Sequence, residues 1–171
     1  MRDWLLGIYA TLFIAGIASG ETMKDEPRDF RGIPWSSAFD SQRDTMNLIR
    51  REGDVAYYQK KGESLTFGQA DTVKIAYRYY KDQFSAGVVL TFGSNNKKAL
   101  LAALHSMHGE PLRPRKHIEQ YMWQGNEASI VLTCEANSYC VAEFYSLALS
   151  ETESTDTGIP EAHKTYDKDD D

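Results

Sequence analysis

Three histidines and two cysteines are the side chains whose spacing suits metal or redox chemistry. His105 and His108 lie three apart in a stretch that predicts a helix, and His117 follows just beyond it. Imidazoles three apart share one side of a helix, and a third would begin a zinc set. The set stops there: no Asp or Glu at helical spacing completes it, and histidine is favoured near a helix C-terminus on its own account. Cys134 and Cys140 lack the Cys-x-x-Cys spacing that activates a thiol. Asp167, Asp169, Asp170 and Asp171 are dense enough to suggest calcium, but the spaced Asp/Asn, Gly and distal Glu of a calcium hand are missing. No Gly-x-Ser-x-Gly or Ser-x-x-Lys motif and no phosphate-cradling glycine loop occurs. The sequence therefore assigns no catalytic residue, no metal ligand and no cofactor, and a non-enzymatic protein is expected.

The position of each such residue depends on what is exported and what folds. Met1-Arg2-Asp3, an apolar run from Trp4 to Ala18 and small residues at Ala18 and Gly20 fit a signal peptide over residues 1–20. The run is shorter than the ~20 residues of a membrane span, so cleavage is expected, with an uncleaved anchor as the competing reading. Residues 21–29 read as a flexible lead-in and residues 30–149 as one α+β domain. Residues 150–171 carry two lysines against eight acidic residues, a balance of −6 that equals the formal charge of the whole chain. Such a segment reads as a disordered acidic tail. The rest is neutral, with only short, scattered basic clusters, which argues against a nucleic-acid partner. No membrane association is expected once the leader is removed.

Within the domain, Asp40 or Ser41 can cap a helix over 41–50 with Met46 and Ile49 on one side. Weak alternation over 55–60 and the short run 65–67 predict two strands. Val73, Ile75, Tyr77 and Tyr79 alternate, as do Phe84, Ala86, Val88, Leu90 and Phe92 beyond Lys81-Asp82. Folding about Lys81-Asp82 sets Tyr79 opposite Phe84, Tyr77 opposite Ala86 and Ile75 opposite Val88, with every apolar side chain on one face. Leu100, Ala103, Leu104 and Met107 predict a helix over 95–108 that ends at Gly109 and Pro111. Strands follow over 116–124 and 128–133. A last hairpin about Asn137 sets Cys134 opposite Cys140, Leu132 opposite Ala142 and Ile130 opposite Phe144. Thiols so opposed in an exported protein are expected to form a disulfide. The expected fold is a single antiparallel sheet of six to seven strands with two helices packed on one face.

Phe30-Arg31-Gly32-Ile33-Pro34-Trp35, Tyr77-x-Tyr79, Leu100-x-x-x-Leu104 with Gly109-Glu110-Pro111, and Tyr121-x-Trp123-x-Gly125 together resemble an uncharacterised family of small exported bacterial proteins with an FxGIxWG-like leading motif. Ser36 departs from that motif's final Gly. The resemblance spans about residues 30–147 and implies no particular activity. The order of elements also resembles β-lactamase-inhibitor-protein-like domains at the level of architecture. With helices on one face, outward tyrosines, Tyr58 and Tyr80 foremost, would offer a contact surface on the other. The function expected is thus a periplasmic or secreted binding or accessory protein, its partner an unknown protein or small ligand of the envelope. An inhibitor of an exported or host hydrolase, and a small envelope enzyme whose groups meet only in space, are the alternatives.

Overall fold

The computed structural model describes residues 23–114 and 117–157. The expected leader, and the tail from residue 158 onward, lie outside the described residues. The described chain starts with a small hairpin of β1 (Asp29–Phe30) and β2 (Ile33–Pro34). Two 3-10 turns, Phe39–Ser41 and Arg43–Thr45, lead into β3 (Met46–Glu52) and β4 (Val55–Lys60). A second small hairpin, β5 (Thr66–Phe67) with β6 (Ala70–Asp71), precedes β7 (Lys74–Tyr80) and β8 (Gln83–Phe92). Then come α1 (Ser94–His108), β9 (Glu119–Gln124), β10 (Ala128–Cys134), β11 (Tyr139–Ser146) and α2 (Leu147–Thr157). Seven strands form one antiparallel sheet in the order β3-β4-β7-β8-β11-β10-β9, so the fold is α+β as expected.

The expected helix over 41–50 is replaced by the 3-10 turns and β3. Met46 and Ile49 have helical spacing, but β3 pairs with β4 from Met46↔Lys60 to Glu52↔Val55. Only Met46 of this strand is buried. An edge strand wet on both sides shows no alternation, so nothing in the residue pattern announces it. The run 65–67, expected in the main sheet, instead pairs with β6 alone.

The central hairpin turns at Lys81 and Asp82, whose φ values of 47° and 57° fit a two-residue turn with left-handed central residues. Tyr79 opposes Phe84 as expected. Immediately beyond, a bulge inserts one extra residue, and Arg78 opposes Ala86, Tyr77 opposes Gly87 and Ile75 opposes Val89. One added residue exchanges the two sides of everything after it. Gly87, Val89 and Thr91 therefore join Ile75 and Tyr77 on the inner face, while Ala86, Val88, Leu90 and Phe92, expected in the core, go to the outer one.

The inner face is closed by the leading segment and by α1. Phe30 lies over Gly87, where an added Cβ would fall 2.3 Å from its ring. Its ring also meets Tyr77 edge-on at 5.6 Å and Phe144 at 5.0 Å. Trp35 stacks on Phe84 at 5.3 Å and donates from Nε1 to the Pro27 carbonyl at 2.7 Å. Leu100 and Leu104 of α1 are fully buried against this layer. Trp123 Nε1 donates to the Gly109 carbonyl just past the helix at 2.8 Å. Burying each leucine contributes roughly 1.5–3 kcal/mol.

Residues 23–29 lie against the domain and are hydrogen-bonded to it. Met23 N–H donates to the Gln124 carbonyl and Lys24 N–H to the His108 carbonyl, both at 3.0 Å. Burial works to raise the Glu26 pKa, but the amides of Glu127, Ala128 and Asn126 outweigh it and hold the carboxyl below its ordinary value. The last hairpin keeps the expected register, with Cys134 and Cys140 opposed and disulfide-bonded, their Cα atoms 4.2 Å apart.

Candidate functional site

The helices lie on opposite faces of the sheet, not on one. Arg78 and Tyr80 alternate along β7 with the inward Tyr77 and Tyr79, and it is these outward side chains that α2 engages. Arg78 pairs with Glu153 and donates to Ser85 Oγ at 2.9 Å. Tyr80 OH and Lys81 Nζ both donate to Asp156 Oδ2, at 2.7 and 2.8 Å. The Lys81 ammonium, then the Tyr80 hydroxyl, hold the Asp156 carboxyl below its usual range. Beneath the helix, burial and the neighbouring Glu143 carboxylate push the Tyr145 hydroxyl pKa upward. Leu149 supplies a buried apolar anchor. Residues 150–157, expected to be disordered, thus lie in a helix, with Glu153 and Asp156 paired to Arg78 and Lys81 far away in sequence.

The expected contact residues Tyr58 and Tyr80 are both covered, for different reasons. Tyr58 opposes the inward Tyr77, so it faces the core, where Phe39 stacks on it at 4.2 Å and Tyr79 meets it edge-on at 5.5 Å. Arg51 Nη2 donates to its hydroxyl at 3.0 Å. Tyr80 does face the outer side, but α2 lies over it and leaves 2% of its surface exposed. Tyr57 is the outward member of its pair.

Away from α2 the outer face is open. A shallow groove of about 300 Å³ is lined by Ile49, Arg50, Tyr57, Lys74, Ala76, Val88 and Leu90. Phe92, 56% exposed, extends the same apolar row. The Arg50 guanidinium sits 4.6 Å above the Tyr57 ring, an arrangement favoured by the ring's negative face. Two cations and no carboxylate line the groove. Arg50 also pairs with Glu52 Oε1 at 3.2 Å.

A second concavity lies on the inner side, where the 61–66 loop meets the β1–β2 turn. Tyr77 OH donates to Glu63 Oε2 at 2.6 Å, and Arg31 Nε reaches the same oxygen at 3.2 Å. Arg31 spends its other nitrogens on the Thr66 and Ser64 carbonyls, at 2.9 and 3.1 Å. The Glu63 side chain is only 6% exposed. Burial, then the Glu63 carboxylate, raises the Tyr77 pKa. Lys60, Lys61 and Gly62 complete a cleft of about 530 Å³. Sequence reading passed over Glu63, because Lys61-Gly62-Glu63 carries only a turn signal and its partners lie 14 and 32 positions away.

The histidines are dispersed in use. His105 Nε2 pairs with Glu110 at 2.8 Å, and His108 Nδ1 donates to the Asp25 carbonyl at 3.0 Å. Burial lowers the His108 pKa against the opposing pull of that carbonyl. Among the described residues, no group of three or more His, Cys, Asp or Glu side chains could hold a metal ion. Nor is any described helix long and apolar enough to cross a membrane. No family model, no curated protein and no solved structure matches the chain.

Proposed function

We propose that this chain is an exported, non-enzymatic binding protein whose contact surface is the open part of the outer sheet face. The observation that carries the reading is the groove between Arg50 and Lys74, where the bulge in β8 turns Val88 and Leu90 away from the core. A partner suited to it is an acidic protein segment with apolar side chains. Its carboxylates would answer Arg50 and Lys74, while its apolar groups cover Ile49 and Leu90. The leader-like N-terminus and the Cys134–Cys140 disulfide support the envelope or the exterior as the setting. The resemblance to small exported bacterial proteins points the same way.

The test places a photo-crosslinking residue at position 90 and compares the chain with its Arg50→Glu/Lys74→Glu variant in the native envelope. The expected result is a crosslink to an acidic segment, lost in the charge-reversed variant while its urea midpoint is unchanged. A crosslink retained after charge reversal, or none at all, contradicts the proposal. A hydrolase as the captured protein would make this chain an inhibitor.

A further inference from the structure

We propose that residues 158–171 of this chain occupy the outer groove, so that an incoming acidic segment has to displace them. The proposal rests on the reading of that groove as a contact surface and names its resident occupant. Residues 158–171 lie outside the described residues. Where α2 stops, and which cations it leaves unanswered, point to the groove as their place.

α2 ends at Thr157 on the same side of the sheet as the groove. Its last turn is fixed at the β7–β8 turn, where Asp156 Oδ2 accepts from Tyr80 OH and Lys81 Nζ. Further back along β7, Glu153 meets Arg78, which stands directly opposite Tyr57 of the groove. The chain therefore leaves the helix beside the groove. Lys74 lies seven positions before Lys81, about 23 Å along an extended strand. Residues 158–166 can span about 30 Å when extended, so Tyr166 and the residues after it come within reach of Lys74.

The cations of this side fall into two groups. Arg78 and Lys81 are answered by Glu153 and Asp156 of α2. Arg50 has the exposed Glu52 of its own strand, and Lys74 has no ion pair among the described residues. Residues 158–171 carry Glu161, Asp167, Asp169, Asp170 and Asp171 against Lys164 and Lys168, a balance of 2 − 5 = −3. All of these acids except Glu161 follow Tyr166. Ile159, Pro160 and Tyr166 supply apolar groups for a groove that sets two cations beside Ile49, Val88 and Leu90. With Tyr166 on Leu90, the aspartates after it come beside Lys74, which opposes Leu90 in the sheet. Tethering removes the need for high affinity. A short tether gives an effective concentration on the order of 1 mM, at which a contact with a dissociation constant of about 0.1 mM is about nine-tenths formed.

The experiment uses the purified full chain, dilute, with a photo-crosslinking residue at position 90. The crosslink is expected within one chain, from position 90 to residues 158–171, and should weaken in high salt. It should fall about tenfold in Arg50→Glu/Lys74→Glu, and likewise in Asp167→Asn/Asp169→Asn/Asp170→Asn/Asp171→Asn, with the urea midpoint unchanged in both. A synthetic peptide of residues 158–171 should bind the Asp→Asn chain about tenfold more tightly than the unsubstituted one, because the tethered competitor is gone. Its binding should shift the amides of Lys74, Ala76 and Leu90. No crosslink to residues 158–171, a crosslink that joins two chains, or equal binding of the peptide to both chains overturns the proposal. Capture of an envelope partner at position 90, without the crosslink to residues 158–171 in the purified chain, would refute the resident segment alone. The intramolecular crosslink with no envelope partner captured would refute the contact reading alone.

Discussion

The two faces of one sheet are stabilised by different means, although the same strands supply both. On the inner face aromatic rings fill the space between the sheet, the leading segment and α1, with Tyr77, Tyr79 and Phe84 fully buried. On the outer face the only described cover is α2, which pairs Glu153 with Arg78 and Asp156 with Lys81, and the groove beyond it is open. Packing on the inside joins ring to ring, Phe84 meeting Tyr77, Tyr79 and Trp35, and Tyr79 meeting Phe39 and Tyr58, and carries no dependence on charge. A charge-held helix depends instead on pH and salt. The outer cover is therefore the side expected to exchange first, and the inner layer the more stable one.

The contrast can be broken most forcefully at Gly87. Gly87→Val drives two methyl groups into Phe30 and should cost about 3 kcal/mol, or prevent folding, as read from urea midpoints. Leu104→Ala on the inner side should cost about 3 kcal/mol, against less than about 1 kcal/mol for Leu90→Ala on the outer one. Equal losses at the two leucines would erase the distinction. Replacing Cys134 and Cys140 together by Ala should cost about 2 kcal/mol, since the loop they close is short.

Smaller effects sharpen the picture of α2. Arg78→Gln should speed amide exchange across residues 150–157 roughly tenfold while leaving exchange in β7 and β10 unchanged. Asp156 has a folded pKa below its ordinary value, so its contribution is complete above the ordinary carboxylate range and fades as pH falls through the lowered one. Exchange in α2 should accelerate first in acid, before the core loosens. His108, also lowered, behaves likewise at higher pH: its contribution is present above about pH 6.5 and declines as pH drops below that. His108→Gln should flatten the stability slope between about pH 7 and pH 5.

The hairpin from Ala128 to Ser146 was legible residue by residue, because its apolar set alternates without interruption and the cysteines fix the register. The central hairpin was legible only as far as Phe84. Gly87-Val88-Val89-Leu90 is apolar at both parities, so either face could claim it, and the bulge at Ser85 that decides the matter has no local signature. The wet edge strand β3 offered helical spacing by accident. The helix α2 hides in an acidic tail because its partners Arg78 and Lys81 are about seventy positions earlier in the chain. Tyr58 and Tyr80 were misplaced by the same two gaps, parity in β4 and the unseen cover of α2. Glu63 was invisible for want of any pattern, since burial of a lone carboxylate is a property of the assembled fold.

Oxidative footprinting of the native chain, read by mass spectrometry, tests most directly the central claim that the bulge turns an apolar row outward. Among the side chains of β8 and its partner Tyr77, modification should fall on Phe92 and Leu90, with Phe84, Val89 and Tyr77 protected. Protection of Leu90 and Phe92 together with labelling of Val89 would mean that the strand runs unbulged, and the outer contact face would not exist.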